Sequence, residues 1–143
     1  SSTFWTERIG PVAALKTLQI MEKEKSWDVI TEKGKNINEE WKKLASKYNL
    51  PIKIFGLPSM TSFQIDSKSW IKYKTYITQE MLKSGYLATN SIYFSIAHTE
   101  DIVSGYVQKL DEIFKIISDC EDGKSIDELI DNEVCHTHFG RLN

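Results

Sequence analysis

The stretch "IKIFGLPSMTSFQID", residues 52–66, decides the fold. Ile52 and Ile54 alternate with polar or exposed positions, and so do Phe63 and Ile65. A period of two is the signature of a strand with one buried face. Gly56-Leu57-Pro58 between the two runs reads as a turn. Two short strands this close in sequence are most simply an antiparallel hairpin.

The segments on either side change period. Upstream, Ile37, Trp41, Leu44, Ala45 and Tyr48 fall on one face of a helix running from about Trp27 to Tyr48, which Asn49 and Pro51 stop. Before it, Val12, Leu15, Leu18 and Met21 give a helix from Pro11 to about Met21, with Pro11 suited to the first turn. The run Glu22-Lys23-Glu24-Lys25 reads as its solvated end. Downstream, Trp70, Tyr73, Ile77 and Met81 mark a third helix that Gly85 ends. "YLAT" (86–89) and "SIYFSIA" (91–97) read as short extended pieces. Thr99 is a good N-cap for a last long helix. Glu100 and Asp101 complement the helix dipole in its first turn. Its apolar face is Val103, Tyr106, Val107, Leu110, Ile113, Phe114 and Ile117, and Glu121-Asp122-Gly123 breaks it. A shorter helix is expected around Ser125 to Ile130.

The order is helix, helix, strand, strand, helix, strand, helix. It predicts an α+β fold, a small antiparallel sheet of three or four strands covered by helices on one side. Three segments are expected: a lead-in over 1–10, the α+β domain over 11–119, and a tail with a short helix over 120–143. Trp27, Trp41 and Trp70 lie on apolar helix faces and are expected in the core. Trp5 lies outside any amphipathic pattern.

Composition narrows the function classes. The chain has 143 residues, 41% apolar and 27% charged, with a formal net charge of −2. That is one ordinary globular domain. Basic residues are mixed with acidic ones, so nothing points to nucleic acid or an anionic membrane. No apolar run reaches the roughly 18 residues of a membrane span, and no signal-peptide pattern is seen. A cytoplasmic location is expected, with Cys120 and Cys135 as free thiols. The missing initial Met leads to the expectation that the start has been trimmed.

Candidate chemistry is sparse. Cys135, His136 and His138 form one cluster, whereas a structural zinc site draws on four ligands, usually two separated pairs. No metal is assigned, and the tail, with Arg141, is read as packing on a neighbouring surface. His98, in "FSIAHTED", is read as bracing a strand-to-helix turn, since no nucleophile elbow precedes it. No glycine-rich phosphate loop exists. The opening "SSTFWTERIGP" offers hydroxyls and amides ahead of a helix start, a place suited to a phosphate.

Three motifs carry more by resemblance. "STFWTERIGPVAALKTL", "GLPSMTSFQID" and "YFSIAHTEDI", in this order and spacing, resemble the C-terminal part of class III, fold type I, pyridoxal-phosphate aminotransferases. The closest subgroup is glutamate-1-semialdehyde aminomutase-like. The resemblance runs from Ser2 to about Ile117, and "FSIAHTED" is quite specific to the subgroup. The tail "CHTHFGRLN" resembles the ends of family members found with sugar and surface-polysaccharide genes.

The resemblance implies a division of labour. In such enzymes a large upstream domain supplies the lysine that holds the cofactor covalently and a carboxylate for its pyridinium nitrogen. A "S-T" or "G-T" step just after that lysine donates to the cofactor phosphate across a dimer interface. Ser2 and Thr3 match this step. No lysine here follows the family's lysine motif, so no catalytic residue is assigned. The implied cofactor is pyridoxal 5'-phosphate. The implied partners are the missing N-terminal large domain, a small-molecule amino donor and acceptor, and a second subunit in a homodimer. The chain alone is expected to be inactive and, with apolar surface exposed near Pro11 and Phe139, to self-associate.

Two departures bear on substrate. Aminomutases usually carry a "SGNP"-like step where this chain has "WTERIGP". Members acting on ω-amino or acetylated-ornithine substrates typically carry an arginine where this chain has Ser95, an arginine that grips the substrate carboxylate. Two alternatives stand beside this reading: a non-enzymatic α+β binding or regulatory module, and a degenerate aminotransferase kept for assembly.

Overall fold

A computed structural model of the chain describes residues 6–136. Its elements are α1 (Ile9–Glu24), α2 (Ser26–Lys47), β1 (Ile52–Leu57), β2 (Met60–Ile65), α3 (Trp70–Lys83), β3 (Ser91–Tyr93), α4 (Glu100–Glu121) and a single 3-10 turn (Asp127–Leu129). The sheet order is β1-β2-β3, antiparallel throughout. The α+β architecture is the one that the alternating periods predict.

The hairpin's register pairs Ile54 with Phe63 and Ile52 with Ile65, so all four share one face. Thr61, Phe63 and Ile65 are fully buried under the helices. The opposite face holds Lys53, Phe55, Leu57, Met60 and Tyr93, all exposed. The turn falls at Pro58-Ser59 rather than at Gly56-Leu57-Pro58. Gly56 is a strand residue opposite Thr61, in the left-handed region at φ 96°. Its glycine signal reflects that backbone conformation and not a chain reversal.

The core gathers Ile37, Trp41 and Leu44 of α2, Tyr73, Ile77 and Met81 of α3, and Tyr106, Leu110, Phe114 and Ile117 of α4 over the sheet. Phe63 is its centre. Its ring meets Trp41, Trp70 and Phe114 edge-on, at centroid distances of 4.8, 6.2 and 5.7 Å. Such arrangements suit the quadrupoles of aromatic rings.

Helices α2, α3 and α4 end in the same way. Asn49, Gly85 and Gly123 each take a positive φ just past the helix. The next residue's N–H then donates back to the carbonyl five residues before it: Leu50 to Ala45, Tyr86 to Met81, Lys124 to Asp119. This closure satisfies carbonyls that the helix leaves open.

Three further expectations need correction. Trp27 is 47% exposed, not core. It lies near the start of α2, two turns ahead of Gly34, the first buried residue of that helix. The extended reading of "YLAT" also fails. Those residues form a loop, and β3 spans only Ser91–Tyr93. The short helix expected over 125–130 is reduced to the 3-10 turn.

Candidate functional site

The first candidate is the lead-in. Ser2 and Thr3, together with Trp5, lie outside the described residues. The helix start just beyond them is described. There the Glu7 carboxylate accepts hydrogen bonds from the N–H groups of Arg8 and Ile9, at 3.0 and 3.2 Å. A carboxylate therefore already sits on the first open amides of α1, where a phosphate would otherwise bind. The described start of α1 does not fit a phosphate anchor, and any such contact rests with residues upstream of it.

The second candidate is the β3–α4 connection. His98 is half-buried, and its Nδ1 accepts from the Ser95 N–H at 3.1 Å. Its ring stands edge-on to Phe94, with centroids 5.6 Å apart. The Ser95 hydroxyl in turn accepts from the Ala97 N–H. The turn is fixed from outside by Lys33 of α2, whose ammonium donates to the carbonyls of Ile96 and His98. Thr99 caps α4, its Oγ1 accepting from the Ile102 N–H at 3.4 Å. The bracing role read for His98 and the capping role read for Thr99 are both seen. Ser95 is exposed at this turn.

Beside this turn lies a cleft of about 510 Å³. Tyr86, Leu87 and Ala88 form one wall, Ile92, Tyr93 and Phe94 another, and the start of α4 with His98, Val103 and Tyr106 the third. No Lys, Arg, Asp or Glu lines it. It has no group that could hold an aldehyde cofactor covalently.

Tyr106 is 4% exposed, and its hydroxyl accepts from Trp41 Nε1 at 3.2 Å. Burial pushes the ionisation of this hydroxyl far above the ordinary tyrosine range, and the Trp41 hydrogen bond opposes that only in part. The group stays a neutral phenol.

The tail is held by α3. Gln79 donates to the Leu129 carbonyl and accepts from the Asp131 N–H, at 2.9 and 2.8 Å. The Cys135 N–H donates to Thr75 Oγ1 at 3.0 Å. The surface that receives this part of the tail is the chain's own third helix. Among the described residues no group of three or more His, Cys, Asp and Glu side chains gathers as a metal site would. His138 and Arg141 lie outside those residues. No helix among them is long and apolar enough to cross a membrane.

Three residues that matter here escaped the sequence reading. Gly34 is the one with a signal, a lone glycine inside a helical pattern. It is buried against the hairpin, and a Cβ there would fall on the Pro58 carbonyl. Lys33 and the Tyr106 hydroxyl gave none. Lys33 acts 65 residues away in sequence, and Tyr106 reads simply as an apolar-face residue.

Comparison with known proteins points one way. The chain is similar to the 3-aminobutyryl-CoA aminotransferase of Cloacimonas acidaminovorans (strain Evry), with 37% identity over 60 residues, 42% of this chain and 14% of that protein. It is also similar to the glutamate-1-semialdehyde 2,1-aminomutase of Hyperthermus butylicus, with 27% identity over 129 residues, 80% of this chain and 30% of that protein. The chain thus spans less than a third of the length of either relative. No protein-family model matches it. Both relatives are named as enzymes that move an amino group, so the likeness is to aminotransferases and aminomutases at that coarse level.

Proposed function

We propose that this chain is the C-terminal small domain of a pyridoxal-phosphate enzyme that moves an amino group. The observation that carries the proposal is the aminomutase likeness, which takes in 80% of this chain but only 30% of that relative. A small sheet covered by helices on one face is the architecture that the resemblance implies. It leaves the opposite sheet face and α1 free to meet other parts of a larger protein.

In this reading the cofactor, when bound, supplies the electron sink for breaking a bond at the amino-bearing carbon. This domain contributes Ser2 and Thr3 to the phosphate of the partner subunit's cofactor, part of the wall of the substrate site, and dimer surface. The lysine and the pyridinium carboxylate come from an upstream large domain. Ser95, in place of an arginine, disfavours substrates whose α-carboxylate must be gripped there, and suits an aminomutase or a sugar-type amino acceptor.

The test is substitution of Thr3 in the protein that contains this chain together with its upstream domain. Thr3→Val removes one hydrogen bond to a charged phosphate, worth about 1.5–3 kcal/mol. Retention of pyridoxal phosphate should fall by roughly tenfold or more. Unchanged retention would remove Thr3 from the site.

A further inference from the structure

The β3–α4 turn is closed by two hydrogen bonds of different chemistry. The His98 N–H donates to the Ser95 carbonyl at 3.2 Å, an ordinary backbone bond. The Ser95 N–H donates to His98 Nδ1 at 3.1 Å. This second bond exists only while Nδ1 keeps its lone pair, so the proton of the neutral ring resides on Nε2. A second proton would go to Nδ1, the atom that already receives a donor. Two N–H groups would then face each other, and the ring could not stay where it is.

The surroundings leave the ring free to move. Phe94 meets it edge-on, and it lines the open cleft beside β3. The titratable groups around it are Lys33 of α2, Glu100 and Asp101 in the first turn of α4, and Tyr86, Tyr93 and Tyr106 on the cleft. Among the described residues no carboxylate pairs with the ring. No anion therefore pins an imidazolium in the seat of the neutral ring. Lys33 has no share in the bond at risk. Its ammonium grips the carbonyls of Ile96 and His98, so the backbone keeps its outer clamp when the ring departs.

We infer that His98 is a protonation switch in the β3–α4 turn. Neutral, its ring locks the Ser95 amide. Doubly protonated, it releases that amide and swings out, while Lys33 holds the backbone. Histidine is the residue type whose charge changes near neutral pH. The lock is thus present on the alkaline side and lost on acidification. The switch itself involves only the ring and the amide. Its consequence, a looser wall beside the substrate, rests on the amino-transfer reading.

The test is an NMR pH titration of the ¹⁵N-labelled 143-residue chain. Long-range ¹H–¹⁵N spectra of the imidazole give its tautomer and its midpoint, and the Ser95 amide is followed in the same samples. The neutral ring is expected in the Nε2–H form. The Ser95 amide should shift with the midpoint of the His98 ring. Its protection against hydrogen exchange should fall about fivefold on acidification, the loss of one hydrogen bond. His98→Asn, whose Oδ1 takes the place of Nδ1 and does not titrate, should abolish the inflection. His98→Phe should leave the amide unprotected at every pH. A neutral ring in the Nδ1–H form, a Ser95 amide that does not follow the ring, or an inflection that persists in His98→Asn would each overturn the inference. Failure of the amino-transfer reading would appear instead as the absence of a cofactor spectrum, and would not alter these signals.

Discussion

Helices α1 and α4 are both rich in apolar side chains, and they meet opposite fates. Helix α4 buries Tyr106, Leu110, Ile113, Phe114 and Ile117 against the sheet and α3. Helix α1 buries nothing. Its Ile9, Val12, Leu15 and Leu18 are each more than half exposed. The difference lies in how the apolar residues are arranged. In α4 they fall on one stripe. In α1 they lie on more than one side: Leu18 and Ile20, two residues apart, project to opposite sides of the helix. The contrast separates a unit that completes its own core from a helix whose apolar side chains stay exposed.

The largest effects should come from the self-sufficient unit. Trp41→Ala removes a fully buried ring that packs on Phe63 and donates to Tyr106. It should cost about 3–5 kcal/mol in urea unfolding. Gly34→Ala places a methyl on the Pro58 backbone and should cost about 2 kcal/mol or more through displacement of the hairpin. A wild-type midpoint for Gly34→Ala would mean that α2 and the hairpin are not in such close contact.

Smaller effects mark the edges of the unit. Thr61→Val deprives Asn38 Oδ1 of its 2.6 Å donor within the α2–sheet contact. Calorimetry should show a loss of about 1–2 kcal/mol. Helix α1 should respond least. Leu15→Ala and Leu18→Ala should shift stability by no more than about 0.5 kcal/mol, since neither side chain loses a buried contact. The same pair replaced by Lys should reduce self-association of the isolated chain in sedimentation velocity. A loss of 2 kcal/mol from Leu18→Ala would erase the contrast and place α1 within the core.

The legibility of the sequence divides along the same line. The period-two run over Ile52–Ile65 specified the hairpin and its buried face, because alternation and burial share one cause. The helix stops at Asn49, Gly85 and Gly123 were legible because a left-handed residue is needed there. Trp27 was misplaced because periodicity defines a helix's face but not how far along that face burial extends, and on α2 it begins at Gly34. The turn was placed too early because Gly56 is needed for a positive φ within a strand. The β3–α4 site was only half visible. His98 could be assigned to its turn from local sequence, whereas Lys33 reaches that turn through tertiary packing alone. The Tyr106 hydroxyl was hidden because an aromatic on an apolar stripe gives no sign that its polar end meets Trp41.

The central claim is that this domain is one part of an amino-transferring enzyme. The most direct measurement is the visible spectrum of the protein encoded by the complete reading frame around this segment, with pyridoxal phosphate, as amino donors are added one at a time. The account predicts a bound-cofactor band that one donor bleaches, and no turnover from the 143-residue chain by itself. A reading frame that starts near Ser1, no band, or steady turnover by the isolated chain would contradict it.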